Sequence, residues 1–133
     1  MLVMSTLVGT SGRTYTPLPI DAGRGFPQSF PLLFGNRNYR FRLYVNAPAS
    51  QVKDRSLILD LPTPEAFLVV QVELDIAADI SQVIFLRKVV PGLEYEASDI
   101  ALTFSQQRVA VQNLNGQGSF GSQVTGAIAL RWA

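Results

Sequence analysis

The sequence predicts an all-β domain, a small barrel or sandwich with at most one short helix. Three observations carry that expectation. Apolar and polar residues alternate in several short runs, the period-2 signature of half-buried strands. Glycine, proline, asparagine and serine cluster between the runs, at 9–12, 21–25, 35–38, 46–50, 62–64, 91–92 and 113–122, which is turn chemistry. Helix signals are scarce: only 75–81, with Ala77 and Ala78, and 95–102, with Ser98 and Asp99 as caps, offer a helical turn, and so short a helix is marginal without partners.

In chain order, residues 1–13 begin with a short apolar stretch that no basic residue precedes, so they read as a strand or N-terminal arm rather than a secretory leader. Phe26, Gln28, Phe30, Leu32 and Phe34 then recur at every second position. After Gly35-Asn36-Arg37-Asn38 the pattern resumes with Tyr39, Phe41, Leu43 and Val45. This is a hairpin with one oily and one basic face. Tyr39, Phe41, Leu43 and Val45 are expected in the core. Arg40, Arg42 and Tyr44 share the other face, with Arg37 at its tip, and form the candidate contact surface. Pro27 and Pro31 each lack a backbone donor, so their strand is expected at a sheet edge or with those two positions facing away from the ladder. Further on, Leu57, Leu59 and Leu61 share a face. Leu68, Val70, Val72 and Leu74 oppose Phe67, Val69 and Gln71. Val83, Phe85, Arg87 and Val89 oppose Ile84, Leu86, Lys88 and Val90, and the last run sets Val124, Gly126, Ile128, Leu130 and Trp132 on one side. No repeat, low-complexity tract or long linker divides the chain, so 1–133 reads as a single domain.

Such a length removes roughly two-thirds of the unfolded surface from water. With 47% hydrophobic and 16% charged residues the chain is expected to be globular, not disordered. Its net charge of +1 creates no long-range field toward nucleic acid or anionic lipid. Sparse charge of this kind suits a chain that buries surface in an assembly. Histidine and cysteine are both absent, which excludes disulfides, Cys/His zinc sites, cysteine nucleophiles and Ser-His relays. No apolar run approaches the ~20 residues that span a bilayer, so a soluble, intracellular product with no membrane contact is expected.

The remaining motifs point away from chemistry. Gly116-Gln117-Gly118-Ser119-Phe120-Gly121 matches G-x-G-x-x-G, but a dinucleotide site needs a following helix and an acidic residue about 20 positions on. Here a strand follows and the sequence given stops, so the segment reads as a flexible hairpin loop. Glu73 with Asp75, and Glu94 with Glu96, would each share one strand face. Acid–base work would require one of each pair to be buried beside a cleft, and they read instead as solvated charges. Serine and lysine are present, so composition leaves a Ser-Lys nucleophilic pair open, but neither a G-x-S-x-G elbow nor an S-x-x-K motif is read to support one. No catalytic residue, cofactor or metal is expected. The basic hairpin face could serve a single-strand-binding OB barrel, which needs a cationic groove and stacking aromatics. Tyr44 is a thin platform for that, and a protein neighbour with acidic groups suits the same arginines. A hydrolase or lectin-like sandwich using the paired carboxylates is a third possibility.

In the order of its features the chain resembles the small baseplate plug proteins of contractile-tailed bacteriophages, which carry an OB-like β-barrel. The resembling parts are Tyr-Thr-Pro-Leu-Pro-Ile at 15–20, the hairpin through Arg40-Phe41-Arg42-Leu43-Tyr44, the leucine strand at 56–62, and the closing Leu130-Arg131-Trp132. Two regions depart from the pattern: Leu57-Ile58-Leu59 stands where an aromatic is expected, and 69–83 lacks the expected glycines. The resemblance implies a structural virion protein of the tail baseplate, made in the host cytoplasm. It would assemble with itself, as a ring, trimer or hexamer, and with other tail-tip proteins, through loops and an arm at 1–13 that order on assembly. The alternative it leaves is a single-stranded nucleic-acid-binding module.

Overall fold

The computed structural model describes residues 7–8 and 11–132; most of the expected arm at 1–13 lies outside them. The chain folds into two antiparallel sheets facing each other across one core. Its strands are β1 (Leu7–Val8), β2 (Thr14–Pro17), β3 (Gln28–Phe34), β4 (Arg37–Asn46), β5 (Ile58–Asp60), β6 (Phe67–Ala77), β7 (Ile80–Val89), β8 (Glu94–Ala97), β9 (Ile100–Ala110) and β10 (Gln123–Leu130). One sheet runs β3-β4-β6-β7; the other runs β1-β2-β10-β9-β5, with β8 also on β9. Among the described residues no strand of one sheet pairs with a strand of the other, so this is a sandwich rather than a closed barrel. None of its helical turns is long and apolar enough to cross a membrane.

Alternation places the core. Phe30, Tyr39, Phe41, Leu43, Leu68, Val70, Val72, Leu74, Phe85 and Val89 face inward from the first sheet. Leu59, Tyr95, Ile100, Leu102, Phe104, Val109, Val124 and Ile128 meet them from the second. Val45 is partly buried against the same cluster. Phe30 and Phe41 stack across β3 and β4 with centroids 5.3 Å apart, and Phe85 meets the Tyr95 ring edge-on at 5.6 Å, joining the two sheets. Gly126 makes room for Phe104: a Cβ there would lie 2.6 Å from that ring.

The two segments that offered helical turns are strand instead. Residues 75–81 form the end of the β6–β7 hairpin around Ala78 and Asp79 (φ 62°), and 95–102 form the β8–β9 hairpin around Ser98 (φ 52°) and Asp99. Cross-strand pairing overrides the helix propensity of two alanines. The helical turns that exist are three short 3-10 turns, at Ala22–Arg24, Ala49–Gln51 and Val111–Asn113. A register shift in β6–β7 pairs Glu73 with Val83 but Val72 with Phe85. Val83 is thereby exposed, and Ile84 packs against the core in its place. β3, with Pro27 just before it and Pro31 within it, is indeed an edge strand.

The second sheet also buries a small patch on its outer face. On its outer side Tyr15, fully buried, packs over Ala101, Ala127 and Ala129. Its hydroxyl donates to Glu94 Oε1 at 2.6 Å. Arg13 pairs with Glu94 (3.4 Å) and Glu96, and Arg131 reaches Glu96 at 3.2 Å. Glu94 and Glu96 do share a face, but guanidinium groups and a phenol hold them, not solvent alone. Burial, then the hydrogen bond to Glu94, pushes Tyr15 up to about 12, from an ordinary value near 10. A raised tyrosine stabilises the fold fully below pH 10 and loses that contribution as pH rises through 12. Urea midpoints measured from pH 9 to 12 are therefore expected to fall, and Tyr15→Phe to flatten part of the fall. Tyr39, also raised chiefly by burial, keeps the remainder. An unchanged slope in the variant would contradict the Tyr15 assignment.

Candidate protein interface

β4 is a central strand, so its outward side chains stand in the middle of a sheet face. Register sets Arg40 between Pro31 and Glu73, Arg42 between Ser29 and Gln71, and Tyr44 beside Val69, which in turn pairs with Lys88. The Arg42 guanidinium lies 5.3 Å from the Tyr44 ring centroid, a cation–π contact that orients both. Neither Arg40 nor Arg42 has an ion pair among the described residues. Glu73, directly opposite Arg40, accepts from Ser81 Oγ (3.0 Å) and Gln71 Nε2 (3.3 Å). Exposed Leu33 stands on β3 beside them, and exposed Val83 and Leu86 stand on β7 beyond Glu73 and Gln71. The face thus combines free guanidinium donors with apolar surface that loses little by leaving water.

Arg37 is not part of that face. By the alternation of β4 it projects with Tyr39 and Phe41, and it pairs with Asp99 at the tip of the β8–β9 hairpin, 3.4 Å away. It bridges the two sheets at one end of the sandwich. Tyr39, Phe41 and Leu43 are buried, as their alternation requires.

At the opposite end Tyr44 borders a cleft of about 280 Å³, floored by Phe26, Val45, Val52, Val111 and Leu114, with Arg55 at its rim. Its wall is the 113–122 loop, which is docked rather than flexible. Asn113 Nδ2 donates to Ala22 O (2.9 Å) and Gly118 O (2.6 Å). Phe26 N donates to Asn113 O (3.1 Å), Asn115 N to Phe26 O (2.6 Å) and Gly118 N to Gly23 O (2.8 Å). The glycine motif thus lies in a loop bonded to the 3-10 turn Ala22–Arg24, with Gly118 and Gly121 at positive φ (98° and 93°).

Sequence reasoning passed over three things. Ser50-Gln51-Val52-Lys53 matches S-x-x-K, but the serine sits on a single 3-10 turn and both Ser50 and Lys53 are exposed, with no hydrogen bond between them. The cleft was missed because four separate chain segments build it. The Tyr15 cover had a faint signal in the small residues Ala127 and Ala129, which leave room on the second face of β10. Among the described residues no three acidic side chains converge as a cation site would need. No family model, curated protein or solved structure matches this chain.

Proposed function

We propose that this chain is a structural virion protein of a phage tail baseplate, in its plug or hub region, and that it works by protein–protein assembly. The observation that supports this reading best is the outer face of β3-β4-β6-β7. There Arg40 and Arg42, free of ion pairs among the described residues, stand with Tyr44 among exposed aliphatic side chains. Arginine and tyrosine are the residue types that anchor protein interfaces, and bidentate guanidinium groups fix partner orientation. Nucleic-acid recognition would call for several stacking aromatics beside the cations, and Tyr44 alone offers that here.

The expected result is that Arg40→Glu with Arg42→Glu leaves the urea midpoint unchanged within about 0.5 kcal/mol, because both side chains are exposed. The same variant loses co-purification with the products of the genes flanking its own. A parent chain that forms no stoichiometric complex with any of them, or a double variant that still does, overturns the proposal. So does tight binding of oligo-dT with an affinity that falls steeply with salt.

A further inference from the structure

The β6–β7 hairpin outruns the core. Leu74 is the last buried residue of β6, and every side chain from 75 to 83 is exposed, although all but the two turn residues lie in paired strands. Ile76 and Ile80 are each 57% exposed at this tip. Asp75 and Asp79 flank them, and neither has an ion pair among the described residues. A narrow two-residue turn, Ala78-Asp79, makes the projection thin enough to enter a groove.

The other end of the same sheet is its complement. In the cleft bounded by Tyr44, Phe26 and Val111 are buried, partly buried Val45, Val52 and Leu114 supply apolar contact, and the exposed surface, with Asn115 and Arg55 in the lining, is more polar than apolar; Arg42 lies against the Tyr44 ring. Arg42 and Arg55 have no ion pair among the described residues, whereas the neighbouring Asp54 is occupied: it accepts from Ser56 N (2.9 Å) and Ser56 Oγ (2.6 Å). Tyr44 pairs with Val69, eight residues before Ala77 on β6, so tip and cleft stand roughly 25–30 Å apart along one strand. They cannot meet within one molecule.

We infer that the β6–β7 tip of one copy of this chain docks into the Tyr44–Arg55 cleft of a second copy. Ile76 and Ile80 meet Val45, Val52 and Leu114, while Asp79 meets Arg55 and Asp75 meets Arg42. The occupant is a second copy because convex acidic-apolar and concave basic-apolar surfaces occur on one molecule, at opposite ends of one sheet. Such a contact is heterologous: each copy offers a free tip and a free cleft, so copies chain head to tail until a ring closes. This inference rests on the assembly reading and names one of its contacts.

The experiment uses the full chain and light scattering from micromolar to roughly millimolar concentration. The parent is expected to form species larger than a dimer. Ile76→Asp with Ile80→Asp removes the tip, Val52→Asp with Arg55→Glu removes the cleft, and each variant alone is expected to be monomeric with its circular dichroism spectrum intact. Mixed, they retain one good tip and one good cleft, so the mixture stops at a dimer of twice 14.6 kDa. A gentler pair guards against misfolding: Asp79→Arg alone weakens assembly at least tenfold, and Arg55→Asp in the same chain restores it. A parent monomeric throughout, a tip or cleft variant that assembles like the parent, or a mixture that stays monomeric overturns the inference. If these variants still co-purify with flanking-gene products, only the tip-to-cleft contact has failed and the assembly reading stands.

Discussion

Gly25→Ala is expected to lower stability by about 3–5 kcal/mol, the sum of local strain and lost hydrogen bonds. Gly25 has φ 79° and ψ 177°, a backbone region that side chains other than glycine's avoid. A Cβ there would lie 1.9 Å from Gly116 O and 2.9 Å from Asn113 O. Both obstacles are backbone, so no rotamer change relieves them. The 113–118 loop must lift from 22–26, giving up the bonds among Phe26, Asn113, Asn115, Gly118 and Gly23. Since small domains are stable by about 5–15 kcal/mol in all, the loss is a large share. Two measurements read it: the urea midpoint, and amide exchange at Asn115 and Gly118, whose protection should fall first. A midpoint equal to the parent's would show that the loop does not approach this closely.

Phe41→Ala is expected to cost about 3–5 kcal/mol, the range for truncating a buried phenylalanine to alanine. The ring is fully buried and stacked on Phe30, with planes within 6°. Its removal leaves a cavity at the centre of a central strand, where paired backbones on both sides limit collapse. The control is one residue away: Arg40→Ala and Arg42→Ala, on the same strand, should change stability by no more than about 0.5 kcal/mol. Urea denaturation of the three variants thus measures the alternation of β4 directly. Three similar midpoints would mean that the inward and outward assignments of this strand are wrong.

That alternation is what made much of the fold legible. Tyr39, Phe41 and Leu43 could be placed inward because one face of their sheet packs and the other does not. The same rule groups Val83 with Phe85 but does not foresee its exposure, because a bulge shifts the register between Val72 and Glu73, and no local composition announces a bulge. From its place in the turn Arg37 is expected at the tip of the arginine face, whereas alternation itself, an odd separation from Arg40 and Arg42, sends it toward Asp99. The helical signals at Ala77-Ala78 and Ser98-Asp99 lost to tight two-residue hairpins, with Ala77 paired to Ile80 and Ala97 to Ile100, whose strands the rest of each sheet holds extended. The cleft lies further still from the sequence. Phe26, Tyr44, Val52 and Leu114 come from separate segments and become neighbours only when the sheets close. The contact face could be read in part, since one strand carries Arg40, Arg42 and Tyr44. Its surroundings, Pro31, Gln71 and Leu86, depend on strand order.

The unequal covering of the two sheets decides where this chain has room to drift. One sheet packs on the core and also carries Tyr15 across a patch of alanines on its outer face, so a larger residue at Ala101, Ala127 or Ala129 would dislodge that ring. The other packs on the core alone. Pro31, Arg40, Arg42 and Leu86 can be exchanged with little consequence for folding. A lineage built on this framework can therefore rewrite a single side of the molecule while the opposite side stays fixed.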